Sequence, residues 1–591
     1  MCGFLGRISF ESFDESQLLL SNKHIECRGP DSRIQFTNSD YQIKYSYIFN
    51  RLSILDLSDL ANQPLHSEIF NSTVMFNGEI YNHAELRKNL ENESVKFKTD
   101  HSDTEVVLNG LSKYGSNYIK KLRGQFSIFF HDFKNNEIIL SRDRLGQKPL
   151  FYYIDNKTLI FGSNLNSLQE LTKPKIDENQ INKYIQLGVV TSPETIFRNI
   201  KKVEPGQLIK FNYSQGKFVI SYEKYWKIED FVDYKIFDQE EFFRLFSEAV
   251  DLRYKADVPV ANFLSGGIDS TAIVKNLVDK DIKVNTFSVG FNSPEYDESY
   301  WFNEVANVYH TNHSVVNISS EIGINEIEES LASMDELYSD PSVVPSYLLS
   351  KEISKFYKVA ISGDGADELL GGYSRVLDSL KVNSDINNLI SKLFSFYPAY
   401  FGTGNYFLSK SNNSEIVYNS FLVDNNLANL LKINIGKNEK TLLRFSKTLD
   451  KYKSIQVNEF NFFLSEMMLL KVDRTSMKNS LEVRSPFVDH KLVEYVLSHN
   501  TNYLDLKYPK KILKNYLLQD FNNNFISRTK KGFVFDIENW VYNNKDYINE
   551  KFKNGKFVYQ NNKNILKQLS IYKSRINAHR IWKLLVLENY L

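Results

Sequence analysis

The stretch Val258-Pro-Val-Ala-Asn-Phe-Leu-Ser-Gly-Gly-Ile-Asp-Ser270 constrains this 591-residue chain more than any other. Val258 to Leu264 is a short β-branched and aromatic run, which predicts a strand. Ser265-Gly266-Gly267 breaks it with little side-chain bulk. Thr271 to Val278 then carries apolar residues at helical spacing. Strand, Gly-rich turn and helix start, in that order, present backbone N–H groups and a helix N-terminus to a phosphate. Asp269 and Ser270 stand where a carboxylate can hold Mg²⁺ and a hydroxyl can meet a phosphate oxygen. Neither GxxxxGK[ST] nor GxGxxG occurs, which excludes a P-loop kinase and a dinucleotide fingerprint. In isolation the hexapeptide also fits a Gly-rich surface turn.

At this length a single core is exceeded, and two or more domains are expected. Lys+Arg 72 against Asp+Glu 72 gives a formal net charge of +0, without the basic footprint of a nucleic-acid binder. No apolar run approaches membrane-spanning length, so no membrane partner is expected. Met-Cys-Gly-Phe-Leu-Gly-Arg lacks the pattern of a secretion signal. Two cysteines, Cys2 and Cys27, make no disulfide framework, and a cytoplasmic location is expected.

Ser265-Gly-Gly-Ile-Asp-Ser270 resembles the pyrophosphate loop of ATP pyrophosphatases. The resemblance implies that the loop grips the β,γ-phosphates and leaves the α-phosphate open to attack, so that an acid is adenylated and pyrophosphate leaves. It implies ATP contacts at Leu264, Ser265, Gly266, Gly267, Asp269 and Ser270, at Val289, where the family's backbone meets adenine, and at Ser362 and Gly363. Asp269 and Asp367 become the candidates for Mg²⁺-pyrophosphate. Val284 to Gly290 reads as a second strand, and Lys358 to Tyr373 as a third ending in an acidic, Gly-rich loop. Asp238 to Lys255 reads as an amphipathic helix with Phe242, Phe243, Leu245, Phe246, Ala249 and Leu252 on one side. Alternating strands and helices predict a doubly wound parallel sheet with ligands at strand C-terminal ends.

The N-terminus carries a second chemistry. A small second residue permits removal of Met1, and the free α-amine of Cys2 then titrates near neutrality and can serve as base for its own thiol. His24 to Asp31, Asn50 to Asp56, Phe76 to Asn82, Ser102 to Glu105 and Ser141 to Tyr152 follow in order. Together they resemble the N-terminal-nucleophile (class II) glutamine amidotransferases over roughly residues 2 to 170. By that resemblance the Cys2 thiolate attacks the glutamine side-chain amide, and Asn77 and Gly78 donate to the oxyanion. Arg51 matches the α-carboxylate, Glu79 and Asp103 match the α-ammonium, and Ile54 belongs to the same pocket. The family usually has His before Arg-Gly-Pro-Asp; here it is Cys27, expected to be a buried, inert thiol. Strand-like runs at Phe4–Ser9, Tyr45–Phe49, Val74–Asn77, Phe126–His131, Glu137–Ser141 and Pro149–Ile154, with helices at Ala84–Leu90 and Asp103–Tyr114, suggest an αββα sandwich, as the resemblance also implies.

Thr191 to Gly206 is rich in turn residues, and Leu208–Tyr213 with Lys217–Tyr222 is a hairpin candidate. The boundary is set between about 215 and 235, giving a glutaminase domain over 2–215 and an adenylating domain over 235–591. Leu470 to Met477, Ser480 to Asp489, Pro509 to Lys514 and Lys530 to Phe535 resemble the C-terminal half of glutamine-hydrolysing asparagine synthetases. The resemblance runs from Cys2 to about Trp540; residues 541–591 match weakly and are read as a helical tail on the core.

The family resemblance implies an α/β multidomain ligase. It converts L-aspartate, L-glutamine and ATP to L-asparagine through β-aspartyl-AMP, with ammonia carried inside the protein, ATP and Mg²⁺ as cofactors, and a homodimer. It places Lys510 against the α-phosphate and makes Asp364 catalytic. Arg484 is expected to support the acidic loop, and Lys511 and Lys514 to be solvated. Two departures stand out. Glu336 to Leu348 has no arginine, whereas well-characterised asparagine synthetases carry one there against the substrate carboxylate. Asp364 stands where they have Glu. Both changes resemble a second bacterial group, some of which amidate other carboxylates such as sugar acids of surface polysaccharides. Aspartate is therefore the first acceptor and another acid the alternative. A β-lactam synthetase-like cyclase would have lost its glutaminase residues, and a non-catalytic binding protein its pyrophosphate loop; both are present.

Overall fold

The computed structural model describes residues 2–39, 42–291, 298–318, 322–381, 401, 413–433, 442–501, 504–505, 507–528 and 535–591. Of the motif Lys530 to Phe535, only Phe535 falls among them.

Strands β1 (Gly3–Ser9), β2 (Ser32–Ser39), β3 (Lys44–Arg51), β4 (Leu65–Ser67), β5 (Ser72–Ile80), β6 (Gly124–Asp132), β7 (Glu137–Arg142), β8 (Phe151–Ile154), β9 (Thr158–Gly162), β10 (Ile200–Lys202), β11 (Gln207–Ser214) and β12 (Lys217–Lys224) build the N-terminal half. Among the described residues they pair as two antiparallel six-stranded sheets, β10-β8-β9-β1-β3-β2 and β12-β11-β7-β6-β5-β4. Period-two alternation decides which side chain faces which layer. In β5, Met75 points into the space between the sheets, while Val74 and Phe76 point to the outer helices. In β6, Phe129 faces inward, stacked 4.2 Å from Phe161, and Ile128 and Phe130 face outward. Burying one such aromatic contributes about 1.5–3 kcal/mol.

Helix Asp103–Tyr114 covers β5 on one outside, and helices Ser16–Ser21 and Leu165–Thr172 cover the other sheet. This is the αββα arrangement. β2 and β9 were not among the expected strands; β2 is a half-exposed edge strand, and β9 is short. The hairpin forms as expected, and the 215 edge of the expected first domain falls inside it, so the N-terminal sheet runs on to Lys224.

Helix Gln239–Tyr254 follows, capped by the Asp238 side chain accepting from Glu240 N. It leads into a parallel sheet of β13 (Val260–Phe263), β14 (Asn285–Phe291), β15 (Asn312–Ile318), β16 (Val359–Ile361) and β17 (Glu482–Arg484), ordered β15-β14-β13-β16-β17. β13 begins later than Val258 because Pro259 has no N–H for a ladder. The 541–591 segment is helical. Its last helix, Arg575–Tyr590, buries Trp582, Leu584, Leu585 and Leu587 completely. No helix among the described residues is long and apolar enough to cross a membrane.

Candidate active site

Two sites emerge. In the first, β1 starts at Gly3 and sets Cys2 beside β5, where Cys2 N–H donates to Asn77 Oδ1 at 3.1 Å. Cys2, Arg51, Ile54, Gly78, Glu79 and Asp103 line one small cavity of about 30 Å³. That is water-sized, so a wall must move to admit a larger molecule. The wall between Leu52 and Ala61 is held by Arg51, whose guanidinium donates to Asp56 O, to Ser58 O at 2.8 Å and to Asn62 Oδ1 at 2.9 Å.

Electrostatics in this cavity are set by burial. Burial pushes the Cys2 thiol up, against the N-terminal charge and Arg51. Glu79 is pushed up to about 8 by burial, with Asp103 and Glu482 adding to it and Arg484 opposing. Asp103 is pushed up to about 6, again chiefly by burial, although it accepts from Ile80 N at 3.0 Å.

The second site lies at the C-terminal edge of the parallel sheet. β13 ends at Phe263, and the turn Leu264 to Gly267 delivers helix Ile268–Val278, which no side chain caps. Gly267 N–H donates to Ser265 Oγ at 3.2 Å, and Ser265 Oγ lies 3.2 Å from Ser270 Oγ. Gly266 has φ +68, and a Cβ there would meet Phe302 N at 2.6 Å, so the turn requires glycine. Its carbonyl accepts from Arg528. β16 ends at Ile361 beside it; Ser362 Oγ donates to Asp364 Oδ2 at 2.7 Å, and a Cβ on Gly363 would touch Asp269 Cβ at 3.0 Å. Val289 lies on β14 beyond Phe287, where the register with β13 stops.

Lys510 closes this site. Its Nζ stands 2.7 and 2.6 Å from the two Asp269 carboxylate oxygens and 2.6 Å from Asp367 Oδ1. Gly372 leaves room for that pair, since a Cβ would lie 1.9 Å from Asp367 Oδ1 and 2.3 Å from Lys510 Cε.

Comparison with known proteins puts both sites in one family. The family model "Asparagine synthase" matches residues 241–589, and the model "Glutamine amidotransferase domain" matches residues 1–226. The chain is 31% identical, over 94% of its length and 89% of the relative's, to Asparagine synthetase [glutamine-hydrolyzing] 1 of Bacillus subtilis (strain 168). The chain belongs to the asparagine synthase family. It is 33% identical over 65% of its length to Putative asparagine synthetase [glutamine-hydrolyzing] 2 of Methanocaldococcus jannaschii, covering 78% of that protein. It is also 28% identical over 84% of its length to Asparagine synthetase [glutamine-hydrolyzing] 3 of B. subtilis, covering 80% of that protein. An asparagine synthase family member of this two-part build is an ATP-using ligase that takes its nitrogen from glutamine. The match to residue 589 takes in the tail that was read as weakly similar.

Within this asparagine synthase family member the expected residues converge as two groups, with three corrections. Arg484 does not turn its side chain to the acidic loop. Its carbonyl accepts from Ser362 N at 2.9 Å, and its guanidinium runs the other way, to Glu482 Oε1 at 2.5 Å and Glu79 Oε2 at 3.1 Å. Cys27 is half-buried rather than buried, and its carbonyl accepts from Ser480 Oγ at 2.6 Å. Lys511 is exposed as expected, but Lys514 is half-buried, its ammonium 4.3 Å from the Tyr508 ring centre.

A buried ionic seam that the sequence did not disclose joins Arg28, Lys148 and Lys202 of the N-terminal half to residues of the C-terminal half. Asp473 meets Arg28 at 2.9 Å, Arg474 at 3.1 Å and Lys148 at 3.6 Å. Arg474 also meets Asp335 at 2.6 Å and Glu336 at 2.9 Å, and Lys202 pairs with Glu336. The one sequence signal was Asp473-Arg474 inside a helix-spaced apolar run, a place where charges need partners.

Proposed function

We propose that this chain is a glutamine-dependent asparagine synthetase, converting L-aspartate, L-glutamine and ATP to L-asparagine, L-glutamate, AMP and diphosphate. Lys510 carries the reading: one buried ammonium gathers two carboxylates beside an uncapped helix start, where a phosphate chain would lie. Asp269 and Asp367 both turn a carboxylate to that ammonium, and the same two groups are the ones that would take Mg²⁺ together with phosphate oxygens. Mg²⁺ held there would neutralise the leaving diphosphate.

The residues then divide the work. Ser265, Gly266, Gly267 and Ser270 hold the β,γ-phosphates, and Lys510 steadies the charge that develops at the α-phosphate. The acceptor carboxylate attacks the α-phosphorus, the bond to diphosphate breaks, and an acyl adenylate forms beside Asp364. Cys2 attacks glutamine, with Asn77 and Gly78 at the oxyanion, Arg51 at the α-carboxylate and Glu79 with Asp103 at the α-ammonium. Ammonia passes through the protein and displaces AMP; water clears the thioester. Two unpaired cysteines suit a cytoplasmic location.

Acceptor identity is settled by measuring AMP and diphosphate release from the purified chain with MgATP and glutamine, with and without L-aspartate, and weighing the amide product. Asparagine formed in proportion to AMP is the expected result. Glutamate release without aspartate-dependent diphosphate would sink the assignment and direct the search to another carboxylate.

A further inference from the structure

Asp257 belongs to the C-terminal half, yet its contacts lie at the Cys2 cavity. It sits between helix Gln239–Tyr254 and β13, where Arg484 Nη1 ties down Arg253 O at 3.1 Å and Lys255 O at 2.6 Å. Its N–H donates to Ile54 O at 3.0 Å, and its Oδ2 accepts from Asp56 N–H at 2.7 Å. The same oxygen stands 2.6 Å from His101 Nε2. Ile54 and Leu55 line the cavity just before Asp56, and Ser102 and Asp103 line it just after His101. One carboxylate oxygen of the C-terminal half therefore bridges two segments of the N-terminal half that build the cavity.

Apolar packing does little to fix the outer part of the wall. Leu57 is 53% exposed and Leu60 60%, so what holds the stretch from Asp56 to Leu60 is polar. Asp56 itself is buried and left-handed, with φ +51, and its Oδ1 accepts from Ser58 N–H and Oγ. The Asp56 and Ser58 carbonyls both receive the Arg51 guanidinium. Where Asp56 sits thus decides where Arg51 points. His101 is engaged at both ring nitrogens, since Nδ1 lies 3.0 Å from Asp100 Oδ2 while Nε2 faces Asp257. Two ring nitrogens donate to two carboxylates only in the imidazolium, and the hydrogen bond to Asp257 pushes His101 up. Among the described residues His101 is the one ionic partner of Asp257.

We propose that Asp257 is a positioning residue of the glutamine site: it reaches across from the C-terminal half to hold the Ile54–Asp56 wall, and through Asp56 the Arg51 guanidinium, in the register that receives the glutamine α-carboxylate, while His101 holds the Asp257 carboxylate in place. This rests on the reading of the Cys2 cavity as the glutamine site and goes beyond it, because the site is then incomplete without the other half of the chain. The cavity is water-sized, so the wall opens to admit glutamine and has to return; the two Asp257 contacts define the return. Asp257 takes no part in bond making, so its loss falls on glutamine binding and not on the thiol step. One hydrogen bond to a charged group carries about tenfold or more in affinity.

The test uses the full chain as wild type, Asp257→Ala, Asp257→Asn, His101→Ala, the double variant of Asp257→Ala with His101→Ala, and Cys2→Ala. Glutamate release is followed against glutamine concentration for KM and kcat. AMP release is followed with MgATP, L-aspartate and ammonium salt in place of glutamine, and denaturant midpoints report folding. D257A is expected to raise the glutamine KM about tenfold or more, with kcat near wild type. D257N, which keeps an acceptor oxygen, should recover part of the loss, and H101A should raise KM several-fold. The double variant should be no worse than D257A, since both changes act through one oxygen. Ammonia-supported AMP release and the midpoint should stay near wild type. An unchanged KM in D257A and H101A, or a loss of kcat without a rise in KM, would overturn the proposal. So would an equal loss of ammonia-supported AMP release, which would mean that Asp257 serves the docking of the two halves in general. Glutamate release surviving in C2A would instead overturn the reading of the cavity on which the proposal rests. Should D257A not fold, D257N and H101A carry the same KM test.

Discussion

Arg484 Nη2 stands 3.1 Å from Glu79 Oε2, while the Arg484 carbonyl accepts from Ser362 N at 2.9 Å. One residue of β17 therefore touches the Cys2 cavity with its side chain and the adenylation loop with its backbone. Its Nη1 also ties to Arg253 O and Lys255 O, ahead of β13. Such an arrangement makes the side chain specific to one site and leaves the backbone contact intact on mutation. Arg484→Met leaves the buried Glu482 carboxylate without the cation that holds it charged and removes the charge that opposes protonation of Glu79; an unpaired buried charge costs about 3–5 kcal/mol. We expect the glutamine KM to rise at least tenfold, with ammonia-supported AMP release retained to a larger degree. Parallel assays with glutamine and with ammonium salt check this, and equal losses in both would contradict it.

The same carboxylate sets a pH dependence. Burial holds Glu79 up at about 8 and Asp103 at about 6, both above the ordinary carboxylate range. A carboxylate whose affinity for protons rises on folding favours the folded state at low pH. Its contribution is lost as pH climbs from the unfolded value through the folded one, here between about 4.5 and about 8 for Glu79. Binding an α-ammonium demands the charged form, so glutamine affinity moves oppositely. The glutamine KM should fall as pH rises from 6 through 8. Glu79→Gln should bind glutamine more weakly and lose the limb near 8. A KM–pH profile of both proteins reads this directly, and a wild-type profile flat from 6 to 9 would rule it out.

Gly372 offers a cleaner separation of the two chemistries. An added Cβ would sit 1.9 Å from Asp367 Oδ1 and 2.3 Å from Lys510 Cε, with no comparable intrusion on the Cys2 side. Misplacing a charge-stabilising group by about 1 Å costs on the order of a hundredfold. Gly372→Ala should therefore lower AMP release by about that factor while glutaminase turnover stays near wild type. Quantifying AMP and glutamate in the same reaction tests the split.

Much of this was legible in the chain because short-range rules act there. The short, nearly continuous apolar runs Val74–Asn77 and Phe126–His131 report strands buried on both faces, and Gly-rich turns after strands report ligand edges. The cavity residues were legible only as ordered motifs, since Cys2 and Asp103 are brought together by sheet pairing and not by spacing. What stayed hidden is pairing across the two halves. Nothing local in Glu482-Val-Arg484 says that its arginine reaches a carboxylate of β5, because that contact depends on how the parallel sheet docks against the sandwich. The edge strand β2 was missed because Arg33, Gln35 and Asn38 interrupt its apolar pattern.

The docking itself has an acid-sensitive element. Asp473 is fully enclosed; burial alone would raise it, but Arg28, Lys148 and Arg474 outweigh burial and hold it well below the usual carboxylate range. A carboxylate depressed on folding contributes stability that is present above its unfolded pKa of about 4 and is lost as pH falls below that. Arg28 adds reach, since its Nε donates to Cys2 O at 3.2 Å, so the pair joins the helix Leu469–Met477 to the nucleophile's own backbone. Asp473→Asn removes the anion and leaves the buried Arg28 and Lys148 without their carboxylate, while Arg474 keeps Asp335 and Glu336. The variant should lose about 3–5 kcal/mol at pH 7, and the stability gap between it and the wild type should begin to narrow as pH falls below about 4 and go on narrowing to the lowest pH at which the wild type stays folded. Denaturant unfolding across that range, with glutaminase activity at pH 7 followed in parallel, provides the check. An unchanged midpoint at pH 7 would mean that the seam is held by other contacts.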